Sequence, residues 1–500
     1  MYDTVTSRIR RRNGSKHDRT GCLTCRYRHK KCTENTFPEC GACIRLNLKC
    51  VREPKRQVAP DPRAQTGESS TAPSVRTVDF FHNRHPFAIQ ETNRSSMRQY
   101  AMKYYIDVIA QVLAVTQQYN SFLSEFVPMS VDSPALSGAL ISWASGHLAA
   151  AADERYRITA LEARSTALGH LASALSDPSP HNDDACTQVA TCLVLLTSEV
   201  CLGNQTGWYA HLLGAKSIIL SAAATTCSGV AGPDALKSTP EGQWILRNFA
   251  YHDILGSVTL GTKPLLRADY LHGITDGVVD TYLGVAAGIL ALIAEISFLD
   301  PPPPGGDSGT LAALSNHNHD QEVYVSCTEI EQKLLAWRCP STASPSLVAL
   351  AYAYRGAARI YLYRRMRSFL RCHSNSFSRG DALQSEYQDN TLDVKMAAAV
   401  AETLAHIQEI PWAEQVESAL LFPLFLAGGE VTAPAAMPVI RQRLELMFAR
   451  RRFENIALAQ ATLEEVWAHR LRDAGISSLP SGGGDWEEVL ARRGGQLLLT

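Results

Sequence analysis

From residue 97 onward, apolar side chains recur three and four positions apart, alanine is abundant, and runs of β-branched residues are few. That spacing gathers the apolar side chains on one face of a helix and predicts helices rather than strands. The expected helices span residues 97–115, 134–152, 154–175, 185–202, 207–222, 242–260, 282–299, 321–337, 347–369, 392–409, 414–426, 438–448 and 452–471. Asp153 and Asp183 each stand just before one of them and are the expected N-caps. Two segments rich in Pro and Gly or in Ser, 301–309 and 374–381, read as loops. The expectation is one large all-α body over residues 97–500. Its longest apolar stretch, 282–299, is interrupted by Glu295 after thirteen residues. A bilayer span needs about 20 apolar residues, so this stretch reads as a buried helix and no membrane partner is expected.

The helical pattern is missing before residue 97. Residues 1–20 are polar and Arg-rich and read as a disordered basic arm, without the apolar core of a secretory signal. Residues 53–96 carry five prolines among many Ser, Thr and Arg, a composition that cannot bury a core and reads as a linker. Those prolines forbid a continuous helix, so no coiled coil is expected there. Between arm and linker, residues 21–52 hold six of the thirteen cysteines of the chain. The other seven are scattered without CxxC pairing and read as buried thiols of an intracellular protein.

Composition changes the picture once it is divided. The 500 residues are 45% hydrophobic and 19% charged, ordinary for a globular chain with room for about two to four domains. The net charge of −1 argues against a nucleic-acid binder only as an average. Residues 1–60 hold fifteen Lys and Arg against five Asp and Glu, a surplus of ten, and the remainder has a deficit of eleven. A basic module joined to an acidic body fits a polyanionic partner for the module alone.

The six crowded cysteines run Cys22-x2-Cys25-x6-Cys32-x7-Cys40-x2-Cys43-x6-Cys50, two halves of one pattern. Two thiolates two residues apart in a turn reach one tetrahedral ion, and zinc favours four such ligands. Two separate sites would need eight ligands, so six thiolates serve two ions only by sharing two sulfurs. A module this short cannot build a hydrophobic core, and metal binding supplies its folding free energy. Six thiolates and two Zn²⁺ lower the local charge by two, leaving a surplus of about eight and a steep salt dependence of binding. The run Arg8-Ile9-Arg10-Arg11-Arg12 reads as a nuclear-import signal, a phosphate-binding arm or a solvated tail.

The sequence GCLTCRYRHKKC…FPECGACIRLNLKC over about residues 20–52 resembles the fungal Zn2Cys6 binuclear cluster family of DNA-binding proteins. The resemblance implies that Cys22 and Cys40 bridge the two ions. Cys25 and Cys32 would complete one, Cys43 and Cys50 the other. It implies that Arg28 and His29 meet the bases of a CGG-like triplet in the major groove, and that Arg26 and Lys31 contact phosphate. Lys is frequent in the family where His29 stands here. Lys30 follows it, so the cationic head sits one place later. For Arg28 the competing reading is a phosphate contact without sequence information. For His29 it is a side chain facing solvent.

In the body, SPALSGALISWASGHLAA, TCLVLLTSEVCLGNQTGWYAHLLGAKSII and WILRNFAYHDILGSV resemble the regulatory domain of fungal-specific transcription factors. The pattern E-x3-G-x4-W-x2-H-L-x-G-A falls on Glu199, Gly203, Trp208, His211, Leu212, Gly214 and Ala215. Trp208, Leu212 and Ala215 share one helix face, and Gly214 is expected to permit close helix packing. Trp208 and His211 read as a core pair, with a ligand pocket as the competing reading; a bond between Glu199 and His211 is not decided by the sequence. The four residues GDSG at 306–309 resemble a protease nucleophile loop but follow four prolines, without the β framework that chemistry requires. No HExxH, P-loop or GxGxxG occurs, and an enzyme is not expected.

These readings point to a nuclear transcription regulator of RNA polymerase II genes, with two zinc ions per chain and double-stranded DNA as partner. Its body would contact the transcription machinery or co-regulators, or self-associate as a homodimer. The alternative is a constitutively DNA-bound regulator whose body senses a small metabolite.

Overall fold

The computed structural model describes Cys40, Cys43 and residues 94–151, 153–176, 184–204, 206–223, 230–299, 310–339, 343–373, 381–475, 485–494 and 496–500. The chain divides into two compact units, Met1–Arg76 and Thr77–Thr500. Of the first unit only Cys40 and Cys43 are described. The expected loop at 301–309 lies outside the described residues, as does all but the last residue of that at 374–381.

The second unit is helical, and among the described residues no strand forms beyond two isolated bridges. Its first part comprises α1 (Arg94–Tyr104), a π-helical turn (Tyr105–Ile109), α2 (Ala110–Leu113), a second π-helical turn (Phe122–Phe126), α3 (Val127–Asp132) and α4 (Pro134–Ala151). There follow α5 (Tyr156–Ser176), α6 (Ala185–Cys201), α7 (Trp208–Ser221), α8 (Pro233–Leu236), α9 (Pro240–Leu260), a 3-10 turn (Ala268–Leu271) and α10 (Ala287–Ser297). The last part holds α11 (Thr310–Ala336), α12 (Pro345–His373), α13 (Asp381–Glu409), a 3-10 turn (Gln415–Ala419), α14 (Leu421–Glu430), α15 (Met437–Arg451), α16 (Glu454–Gly475) and α17 (Trp486–Arg493).

Helices with no polar face form the centre. Every residue of α14 is buried, as is nearly all of α6 from Thr187 to Cys201 and most of α9. A helix apolar all round is stable only inside a core. One cluster of buried side chains runs from Ala101 to Leu499. The closest helix pairings are α4 with α5, α12 with α13 and α6 with α7. The first pairing rests on small residues: a Cβ on Gly138 would stand 3.1 Å from the Ala167 Cβ and 3.2 Å from the Ala163 carbonyl.

Local chemistry sets the ends. Asp184, not the expected Asp183, caps α6 by accepting from the Thr187 N–H at 2.8 Å. Thr239 does the same for α9, whose Pro240 occupies the first turn. The stretch 282–299 forms a helix only over Ala287–Ser297. Its start is held back because Asp280 and Gly284 exchange both backbone hydrogen bonds at 2.8 Å. No helix of the described residues is long and apolar enough to cross a membrane.

Candidate metal centre and regulatory body

Cys40 and Cys43 form the described part of the cysteine module. The Cys43 N–H donates to the Cys40 carbonyl at 2.9 Å, and both side chains are fully buried. Two thiols spaced two residues apart are donors of the kind that a soft, tetrahedral divalent ion takes. The pair fits zinc by the chemistry of its donors. Cys22, Cys25, Cys32 and Cys50, and the basic residues Arg26, Arg28, His29, Lys30 and Lys31, lie outside the described residues.

Described cysteines of the body behave otherwise. Burial pushes the Cys192 and Cys186 thiols up to about 12 and the Cys327 thiol up to about 11, so they stay protonated at neutral pH. A protonated thiol is neither nucleophile nor metal ligand. Among the described residues no group of His, Cys, Asp and Glu is arranged to hold a metal ion.

The seven-residue pattern around Trp208 is accounted for by packing. Glu199, on α6, is 2% exposed; it accepts from Arg164 of α5 and lies 3.2 Å from the His211 Nε2 on α7. Three helices thus meet on one carboxylate. Gly203 ends α6 at φ +87°, a conformation that favours glycine. Gly207 lies directly under the carboxylate, where a Cβ would fall 1.9 Å from the Glu199 Oε2. Trp208, Leu212 and Ala215 are buried as one face, and the Trp208 indole N–H donates to the Gln496 carbonyl at 3.0 Å. The expectation for Gly214 needs correction: a Cβ there would meet only the Cys192 Sγ at 3.7 Å, an ordinary contact.

Beside Trp208 lies a cavity of about 210 Å³, lined among others by Gly203, Asn455 and Leu498. Its far wall is the C-terminal segment, whose Leu497, Leu498 and Leu499 are each 1% exposed. Side chains of two further helices hold that segment: Thr259 donates to the Leu497 carbonyl at 2.5 Å, and Asn455 to the Thr500 carbonyl at 2.8 Å.

Sequence reasoning missed two buried charge clusters. In one, Arg364 of α12 pairs with Glu430, Asp485 and Glu487 while its guanidinium covers the Trp486 ring at 4.6 Å. In the other, Glu417 is fully buried against Arg443 at 2.9 Å, Arg450, and Arg451 at 3.8 Å. Burial lowers the Arg451 guanidinium to about 10; the Glu417 charge opposes this, and the neighbouring Arg450 and Arg443 add to it. Both clusters join α-helical elements to each other rather than line a reactive cleft.

The family model for the fungal specific transcription factor domain matches residues 100–500. The chain belongs to that family. A second model, for the fungal Zn(2)-Cys(6) binuclear cluster domain, matches residues 20–58 of this transcription factor, and a domain of that kind binds two zinc ions. The transcriptional activator protein UGA3 of Saccharomyces cerevisiae is 22% identical over 354 residues, covering 57% of this chain and 65% of the yeast protein. The chain thus aligns with just under two thirds of that relative's length. No solved structure matches significantly. A zinc-cluster transcription factor family is a DNA-binding family and not an enzyme family, which agrees with the missing catalytic motifs.

Proposed function

We propose that this transcription factor is a nuclear, sequence-specific regulator of RNA polymerase II genes that reads CGG-like triplets. The observation that carries the reading is the coincidence, within the matched residues 20–58, of six cysteines with the basic run from Arg26 to Lys31. Cys22, Cys25, Cys32, Cys40, Cys43 and Cys50 hold two zinc ions, Cys22 and Cys40 bridging them. The ions supply folding free energy and fix the segment between Cys25 and Cys32 as a rigid probe. Arg28 donates to guanine N7 and O6, a pairing its fork suits, and His29 lies against the neighbouring base. Arg26, Lys30 and Lys31 neutralise phosphates and set the register. Residues 53–96 link this module to the regulatory body over 97–500, which acts by contact with co-regulators and by self-association.

Selection of bound sequences from a random duplex library by the zinc-loaded full chain tests the proposal. Enrichment of a CG-rich triplet is expected; a library left unenriched would overturn the mechanism. Arg28→Ala should weaken binding to the enriched site more than to a scrambled duplex. Equal weakening of both would reassign Arg28 to phosphate.

A further inference from the structure

Helix α5 has two apolar stripes. One, running from Tyr156 through Ala163 and Ala167 to Leu171, is buried against the body. The other faces solvent: Ile158, Leu161, Ser165, Leu168, Ala172 and Leu175 are all exposed, at alternating spacings of three and four. Its four large members are 65%, 63%, 37% and 53% exposed, in the order Ile158, Leu161, Leu168 and Leu175. Single exposed apolar residues are normal on a surface. A line of them at heptad spacing, Leu at each d position and Ile, Ser and Ala at the a positions, is the seam of a two-stranded coil. Ser165 and Ala172 let two such helices approach closely at those layers.

The flanking charges name the partner. Arg157 and Glu162 border the seam at a g and the following e position, five residues apart, and both are exposed. In a parallel, in-register pair of identical helices, g of one strand meets the next e of the other, so Arg157 faces Glu162 of the second copy twice by symmetry. An antiparallel pair would instead set g against g and leave Arg157 without an acidic residue opposite, since the other g positions are Arg164, held by Glu199, and the buried Leu171. Arg157 is already paired within its own chain with Glu154, three residues back, on the same exposed flank. The seam covers about five helical turns, short for an isolated coiled coil. Here the helix is already ordered by its buried stripe, so association does not bear the cost of forming it.

We propose that α5 pairs two copies of this chain through a parallel, in-register seam of Ile158, Leu161, Leu168 and Leu175. The inference rests on the proposed self-association of the regulatory body and assigns it a surface.

Sedimentation equilibrium of the zinc-loaded full chain, free and on DNA, tests it. The wild type is expected to approach twice 54.7 kDa with rising concentration. The double variant Leu161→Glu with Leu168→Glu should remain a single chain, with melting temperature and zinc content unchanged because both side chains point outward. If this variant dimerises as well as the wild type, the seam is wrong while self-association stands. A wild type that stays monomeric free and on DNA sinks both. Charge reversal then tests orientation: Arg157→Glu and Glu162→Arg should each weaken the dimer several-fold, and together restore it. If the leucine variant is monomeric but the double reversal fails to restore pairing, the parallel register is overturned.

Discussion

Glu417 offers the sharpest test of how the body is held together. It lies on the 3-10 turn Gln415–Ala419, fully buried, and faces Arg443, Arg450 and Arg451 of α15. At an effective dielectric near 20, a unit charge about 4 Å away contributes roughly 4 kcal/mol of gross attraction. Desolvation of both partners cancels most of it, so the net value of the pairs is small. Removing the one anion is different, because Glu417→Gln keeps the shape and strands three cations beside one another. Breaking a buried pair in this way costs about 3–5 kcal/mol. Urea denaturation of the full chain, followed by tryptophan fluorescence, should show that loss as a lower midpoint at unchanged slope. Two further variants separate network from pair. Arg450→Met removes a partly exposed member of a cation-rich site and should cost under about 1 kcal/mol. Arg443→Met should cost more, because that guanidinium also donates to the Ile410 carbonyl at 3.1 Å and covers the Trp412 ring at 4.4 Å. A Glu417→Gln protein within about 1 kcal/mol of wild type, or one hurt less than Arg450→Met, would refute the reasoning.

Three other outcomes follow from the same structure. Cys40→Ser, at the proposed bridging sulfur, should lower the zinc content from two ions to fewer than one and abolish duplex binding, while the helical body melts as before; two retained ions would remove Cys40 from the bridge. Gly207→Ala should destabilise the body by about 1–3 kcal/mol through overpacking against Glu199, whereas Gly214→Ala, with room for its methyl, should be neutral or gain up to about 1 kcal/mol from helix propensity; equal effects in thermal melts would contradict the packing described. Burial lowers His252 to about 3, so this neutral imidazole stabilises the fold above the unfolded value near 6.5 and the contribution is lost as pH falls from there towards 3. The stability difference between wild type and His252→Gln should therefore shrink by about 1.4 kcal/mol per pH unit over that window, and a difference flat with pH would place the imidazole in contact with water.

Helices were legible where one apolar face recurs, and their ends were legible less well. The expected 185–202 and 207–222 became α6 (Ala185–Cys201) and α7 (Trp208–Ser221), because both carry long apolar faces and polar or glycine boundaries. Helix α11 begins at Thr310 rather than 321, because the polar run SNHNHD at 315–320 breaks its apolar pattern, and α13 at Asp381 rather than 392, because its first turns are largely polar. Helix α17 comes after Ser-Gly-Gly-Gly in the sequence and is not among the expected helices, although Trp486 is fully buried and Asp485 caps the first turn. The contact between Glu199 and His211 was open in the sequence, although only twelve residues across one helix connection separate them. Arg364 meets Asp485 across 121 residues, a pairing that no local pattern encodes.

The same limit explains why α5 was informative only after folding. Its sequence alternates apolar and polar residues around the whole circumference, so periodicity marks a helix without saying which face is inward. The tight crossing at Gly138, Ala163 and Ala167 decides it, since only small residues allow that approach. Once the small face is fixed against α4, the larger Ile158, Leu161, Leu168 and Leu175 are left on the outside. Apolar bulk at these positions adds little to the body's own core, and the proposed pairing with a second copy gives it a use. In the helical body the proposed partner surface thus lies where the fold has least use for the residues present. The zinc half is the reverse, since there the fold and the proposed DNA contacts depend on the same cysteine-spaced segment.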